Sequence, residues 1–195
     1  MGELSVQEER DSYITRHRLT VEEFHRMGET GVFPPGARIE LFEGELIDMV
    51  PIGPAHANSV DHLVTLLAPL VASLIIRVQN PLRLGSGSEL IPDLMLLRRR
   101  PGGYPTAAPG PEDVLLLIEV SDSTIRYDRN DKVKLYSQNG VVETWLLDLN
   151  ERRLEIYLKP GPDGYQEIRH PPLEQLVAAS LIPGFTVAAK DLLAT

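Results

Sequence analysis

Two stretches, "IPDLMLL" (residues 91–97) and "IEVSDSTIRYDRNDKVKLY" (residues 118–136), decide how this chain reads. In the first, Asp93 follows Pro92 inside an apolar run. In the second, the run from Val114 to Ile118 ends in Glu119. A polar loop follows, and then a helix carries Asp128, Lys132 and Tyr136 four residues apart, on one face. "DVLLLIEV" is apolar almost without a break, which predicts a strand buried on both faces at a sheet centre. Asp93 and Glu119 are therefore expected on neighbouring strands, each in apolar company. A buried carboxylate costs several kcal/mol unless it is paired or metal-bound. A divalent cation shared by the two meets that need. Carboxylate ligands, with no cysteine and no histidine pair, favour Mg²⁺ or Mn²⁺ over Zn²⁺. The plainer alternative is that each acid ends its strand and faces solvent. Lys132 likewise has two readings. It pairs with Asp128 on the surface, worth about 0.3–0.5 kcal/mol, or it reaches the two acids and steadies charge on a phosphorane-like transition state.

Outward from this centre, Thr20 and Glu23 form a capping box for a helix over about 20–28. "RIELFEGELIDMV" reads as a hairpin turning at Glu43-Gly44, with Glu40, Phe42, Glu45 and Ile47 on one face. Glu45 is a candidate third carboxylate. Residues 54–74 carry the longest helical pattern, which Pro69 is expected to kink or break. His56 opens that helix as a candidate phosphate or supporting contact. His62 lies six residues on, on another face, so the two make no metal pair. "LIIRVQNPLRL" and "ELIPDLMLL" each read as one strand. The loop "SDST" is assigned to turn formation, Tyr136 to packing with a possible hydroxyl contact, and Arg98–Arg100 to a solvated loop. A helix over 128–139 should end at Gly140. "VETWLLDL", the pair "RLEIYLK" and "YQEIR", and a short strand and helix in the tail complete an α/β (α+β) chain with a mixed central sheet flanked by helices.

The 195 residues suit a flexible arm over 1–18 and one domain over 19–195. No apolar run approaches the ~20 residues of a membrane span. The acidic N-terminus lacks a signal-like apolar core, and there is no cysteine, so a cytoplasmic protein is expected. The net charge of −9 argues against an indiscriminate nucleic-acid binder, since phosphate contacts need Lys and Arg. The charge is uneven. Residues 1–50 hold 11 acids and 5 bases, net −6, and the rest is nearly neutral.

Together "LTVEEFHRM", "IELFEGELIDM", His56, "IPDLMLL", "IEVSDSTIRYDRNDKVKLY", "GVVETWLLDL" and "IPGFTV" resemble the bacterial Uma-type family of restriction-endonuclease-like proteins. The resemblance implies a PD-(D/E)XK nuclease fold, with Asp93 at the motif aspartate and Glu119 at the motif acid. Ser121 stands where the general nuclease motif has lysine. The family's lysine sits instead on the following helix, here Lys132. Glu45 and His56 match further family positions.

The leading expectation is a Mg²⁺-dependent DNA endonuclease with Asp93 and Glu119 as metal ligands, Lys132 positioning water, and Glu45 and His56 assisting. Cutting both strands of DNA would favour a homodimer. The alternatives are a catalytically silent nuclease-fold module that binds nucleic acid or a protein partner, and a hydrolase of another phosphoester such as a nucleotide.

Overall fold

The computed structural model describes residues 15–105 and 108–193. Residues 1–14 of the expected arm lie outside the described residues. Thr20 and Glu23 close the expected capping box over α1 (Val21–Glu29). The hairpin β1 (Ile39–Phe42) and β2 (Glu45–Asp48) turns at Glu43-Gly44, both with positive φ, as a type I′ turn demands.

Helix α2 (Pro54–Leu67) gives way at Pro69 to a 3₁₀ turn, Ala68–Ala72. The helical pattern read to residue 74 thus ends earlier. Pro69 withholds an amide donor from the ladder, and Leu74 already opens β3 (Leu74–Val78). The next two expected strands are each divided. A positive φ at Gln79 separates β3 from β4 (Leu82–Leu84). Pro92 separates β5 (Ser88–Leu90) from β6 (Leu94–Arg98), since proline has no amide to give a sheet.

That second break has a large consequence. β5 joins a four-stranded sheet in the order β2-β1-β5-β4, whereas β6 joins a six-stranded sheet. Asp93 lies where the chain passes from one sheet to the other.

β7 (Val114–Ser121) is buried along nearly its whole length. The chain then crosses through α3 (Ile125–Tyr127), a π-helical turn (Asp128–Lys132) and α4 (Val133–Gln138). It returns as β8 (Glu143–Asp148), parallel to β7. β9 (Arg153–Leu158) and β10 (Glu167–Arg169) follow, antiparallel. The large sheet reads β10-β9-β8-β7-β6-β3 and is mixed. A strand not read from sequence, β11 (Leu176–Ala178), pairs with β12 (Thr186–Ala188) before α5 (Ala189–Leu192).

Alternation along β7 sorts the core. Leu116, Ile118 and Val120 pack with Leu63 and Leu67 of α2 and Leu192 of α5. Leu117 packs instead with Leu135 and Tyr136 of α4 and Leu82 and Leu90 of the small sheet. Glu119, two residues on from Leu117, faces that second side, so a carboxylate enters the seam between the two sheets and the crossover helix.

Candidate active site

Asp93 is fixed by four partners, two of them on β7. Its Oδ2 accepts from the Val120 backbone N–H of β7 at 2.9 Å and from His56 Nε2 of α2 at 3.0 Å. Its Oδ1 accepts from Gln79 Nε2 at 3.1 Å, and its own N–H donates to Glu119 Oε2 at 3.2 Å. The two acids are thus locked together across adjacent strands.

Glu119 Oε1 accepts from the Tyr136 hydroxyl at 2.6 Å and stands 2.8 Å from Lys132 Nζ. Lys132 also stands 3.2 Å from Glu40 Oε1 of β1, and Glu40 accepts from the Ile91 N–H at 2.7 Å. Glu40, Glu119, Lys132 and Tyr136 are all buried. Asp128 does not pair with Lys132 at the surface. It is buried, and its Oδ2 accepts from the hydroxyls of Ser121 at 2.7 Å and Thr124 at 2.6 Å. The "SDST" loop therefore anchors the crossover at its start.

Charge is tuned strongly here. Burial pushes the Glu119 carboxyl up to about 8, with Asp93 and Asp128 adding to the rise and Lys132 opposing it. Burial raises Asp128 as well, against the pull of Lys132 and the two hydroxyls. Burial works upward on Asp93 too, but His56 and the Val120 amide outweigh it and leave the carboxyl below its ordinary value. The hydrogen bond to Asp93 lifts His56 above the usual histidine value. Burial alone would lower the Lys132 ammonium, but the charges of Glu119 and its neighbours hold it well above the usual lysine range.

The structure brings Asp93, Glu119, Lys132 and His56 together around one cavity of about 270 Å³. Glu45 is not among them. It shares a hairpin face with Glu40 but sits at the turn end, 58% exposed, 2.5 Å from Arg18. Glu40, two residues further from the turn, is the acid that meets Lys132. Sequence reading also passed over Gln79, whose positive φ marks an unusual turn. A charged residue flanked by Ile39 and Leu41, on the face of Phe42 and Ile47, was the available signal for Glu40.

A family model described as Uma2, "Putative restriction endonuclease", matches residues 21–190. The chain belongs to the Uma2 family. No curated protein matches it. Among solved structures it is similar to one described as "a putative nuclease belonging to DUF820" from Anabaena variabilis ATCC 29413. The identity is 18% and the TM-score 0.70, covering 90% of this chain and 98% of that one. At that identity the likeness shows the fold.

Membership of Uma2 suggests a divalent metal. Among the described residues no group of three or more acids or histidines is placed to hold a metal ion. The two acids still fit an open site. Each carboxylate oxygen has two lone pairs. Asp93 Oδ1 and Glu119 Oε2 each accept a single hydrogen bond, so each has one lone pair left. Mg²⁺ is held typically by one or two carboxylates, with water and substrate phosphate completing its shell.

Proposed function

We propose that this Uma2 protein is a Mg²⁺-dependent (or Mn²⁺-dependent) endonuclease that hydrolyses DNA phosphodiester bonds, working in the cytoplasm in keeping with a cysteine-free chain. The observation that carries the reading is the Lys132 ammonium, 2.8 Å from Glu119 and buried beside it. On this reading it supplies the cation that Ser121, two residues after Glu119, does not. Asp93 and Glu119 would hold the ion, which supplies Lewis-acid polarisation of the phosphate and a water acidified for attack. Lys132 orients that water and offsets charge on the pentacovalent transition state. His56 keeps the Asp93 carboxylate aimed, and Glu40 and Tyr136 keep the ammonium and Glu119 in register. Water attacks phosphorus in line and the 3′ oxygen leaves. Each chain carries one such centre, so cutting both strands of a duplex would call for a homodimer, which sedimentation tests.

The test of cleavage is nicking of supercoiled plasmid and of circular single-stranded DNA, with Mg²⁺ and with EDTA. Wild type is expected to cut only with the ion, and Asp93→Ala and Lys132→Ala are expected to lose at least about 10²-fold in rate. Wild type that never cuts any DNA would overturn the enzymatic reading. One observation favours a second, silent reading. Most lone pairs of Asp93 and Glu119 already accept protein donors, so the network is nearly complete by itself. DNA binding without cleavage, and no heat of Mg²⁺ or Mn²⁺ binding that Asp93→Ala removes, would support it.

A further inference from the structure

The groups of the reaction centre are at the floor of the cavity, and its mouth is not built for a duplex. Side-chain exposure is 5% for Lys132, 3% for Glu119 and 11% for Asp93. Loop 49–53 and the end of β2 form one wall of the cavity, and that wall is mostly apolar: Ile47, Met49, Val50, Pro51 and Ile52 line it, with Asp48 the charged residue among them. Val50 is 51% exposed and Ile52 40%. Single exposed apolar residues are ordinary, but a run of them around one opening marks a contact surface. Tyr127 lines the same space, its ring against Phe42. The facing wall comes close, since a side-chain carbon at Gly53 would meet Asp122 Oδ2 at 3.7 Å. Among the described residues, Arg38 and Lys132 are the only lysine or arginine side chains lining the cavity, and Lys132 is committed to Glu40 and Glu119.

A duplex is stiff over tens of nanometres, and proteins hold its backbone by rows of Lys and Arg. It is too wide to bring a phosphate to carboxylates buried below an apolar loop, and this opening lacks the basic rows. An unpaired strand removes the first obstacle and adds base stacking as a source of grip besides charge. Its backbone bends freely, one phosphate can descend to Asp93 and Glu119, and the neighbouring base offers a flat apolar face to the loop and to Tyr127. A cavity of about 270 Å³ lies just below the usual span of ligand sites, which run from about 300 Å³ upward. That suits a nucleotide-sized unit.

We propose that the substrate of this centre is unpaired DNA, one nucleotide of which inserts beneath loop 49–53, with the apolar wall holding its base. This rests on the nuclease reading and narrows it. A single strand needs one centre, so the proposal does not depend on a second copy of the chain.

The experiment compares a fluorescein-labelled single strand, the blunt duplex of the same sequence, and that duplex with a single-stranded flap. Binding is read by anisotropy with Ca²⁺ in place of Mg²⁺, and cleavage by gel with Mg²⁺. The single strand should bind more tightly than the duplex, and the flap substrate should be cut within the flap. The double variant Val50→Asp, Ile52→Asp should weaken single-strand binding by about tenfold, the scale of losing one base contact, with the melting temperature unchanged because both residues are exposed. Equal or preferred binding and cutting of the blunt duplex, or single-strand binding that ignores the double variant, would overturn the proposal while leaving a nuclease. Failure to cut any of the three would overturn the nuclease reading along with it.

Discussion

Lys132 is the residue on which the site turns. Its ammonium lies between the carboxylates of Glu40 and Glu119, all three groups nearly sealed from water. Removing one member of a buried ion pair leaves the other charge uncompensated and costs about 3–5 kcal/mol. Above pH 8, where Glu119 is ionised, Lys132→Met should therefore lower unfolding free energy by about that much in urea titration, and adding Glu119→Gln should recover part of it. Glu119 also makes a pH prediction. Its carboxyl titrates near 8 in the fold, above the 4.5 of an ordinary glutamate. Between those values the native state holds a proton that the unfolded chain has released. Stability from this group therefore falls as pH rises through the window. A cation needs the ionised form, so Mg²⁺ affinity should rise from pH 6 to 8 with proton release. Calorimetry in buffers of different ionisation enthalpy measures both. At this scale the sequence was informative about Asp93 and Glu119, because an acid inside an apolar strand needs a partner. It was less informative about Glu40 and Glu45. A period of two assigns both to one face, but depth along the hairpin depends on where the small sheet meets β7, which the alternation does not encode.

Among the elements, the π turn Asp128–Lys132 sets the aim of the lysine. Such turns insert one extra residue into a helix and cluster at functional sites. Here its start is held twice. Asp128 is bonded to Ser121 and Thr124, and Arg129 donates to Asp148 at 2.8 Å and to Glu155 at 2.8 and 3.1 Å. Both of those acids are buried. Arg129→Leu should destabilise by about 2 kcal/mol, less than full loss of a buried pair because Arg153 still stands 3.0 Å from Glu155. If the network also positions the turn, cleavage should fall through kcat with little change in KM. The four-residue spacing of Asp128, Lys132 and Tyr136 foretold a helix with these residues on one side. It could not foretell the earlier start at Ile125 or the π turn, because an uneven ladder leaves no mark on hydrophobic periodicity. Pro69 and Pro92 were plainer, since a missing amide interrupts any ladder. Of the two, only the first was read as a break.

Over the molecule as a whole, charge would limit how the proposed DNA substrate is held. With a net charge of −9 and few cations near the opening, few counterions are released on binding. For single strands the logarithm of affinity falls with that of salt by about 0.7 per phosphate neutralised. A slope of magnitude no more than about 2 is expected in anisotropy titrations, and a steep slope would reveal a basic surface elsewhere. The central sheet with β7 inside it was legible from one unbroken apolar run. Its division from a second sheet was not, because the strands that extend the hairpin into that sheet, β4 and β5, have three residues each, and the hand-over at Pro92 leaves one continuous apolar run. That division makes the lysine a rivet. Glu40 comes from the small sheet, Glu119 from the large one, and Lys132 from the helix laid across them. Parting the sheets by even a few ångströms would scatter the reactive set long before the hydrophobic layers separated. A partly opened or newly made chain would then be disarmed, and the capacity to cut would appear only with the last stage of assembly.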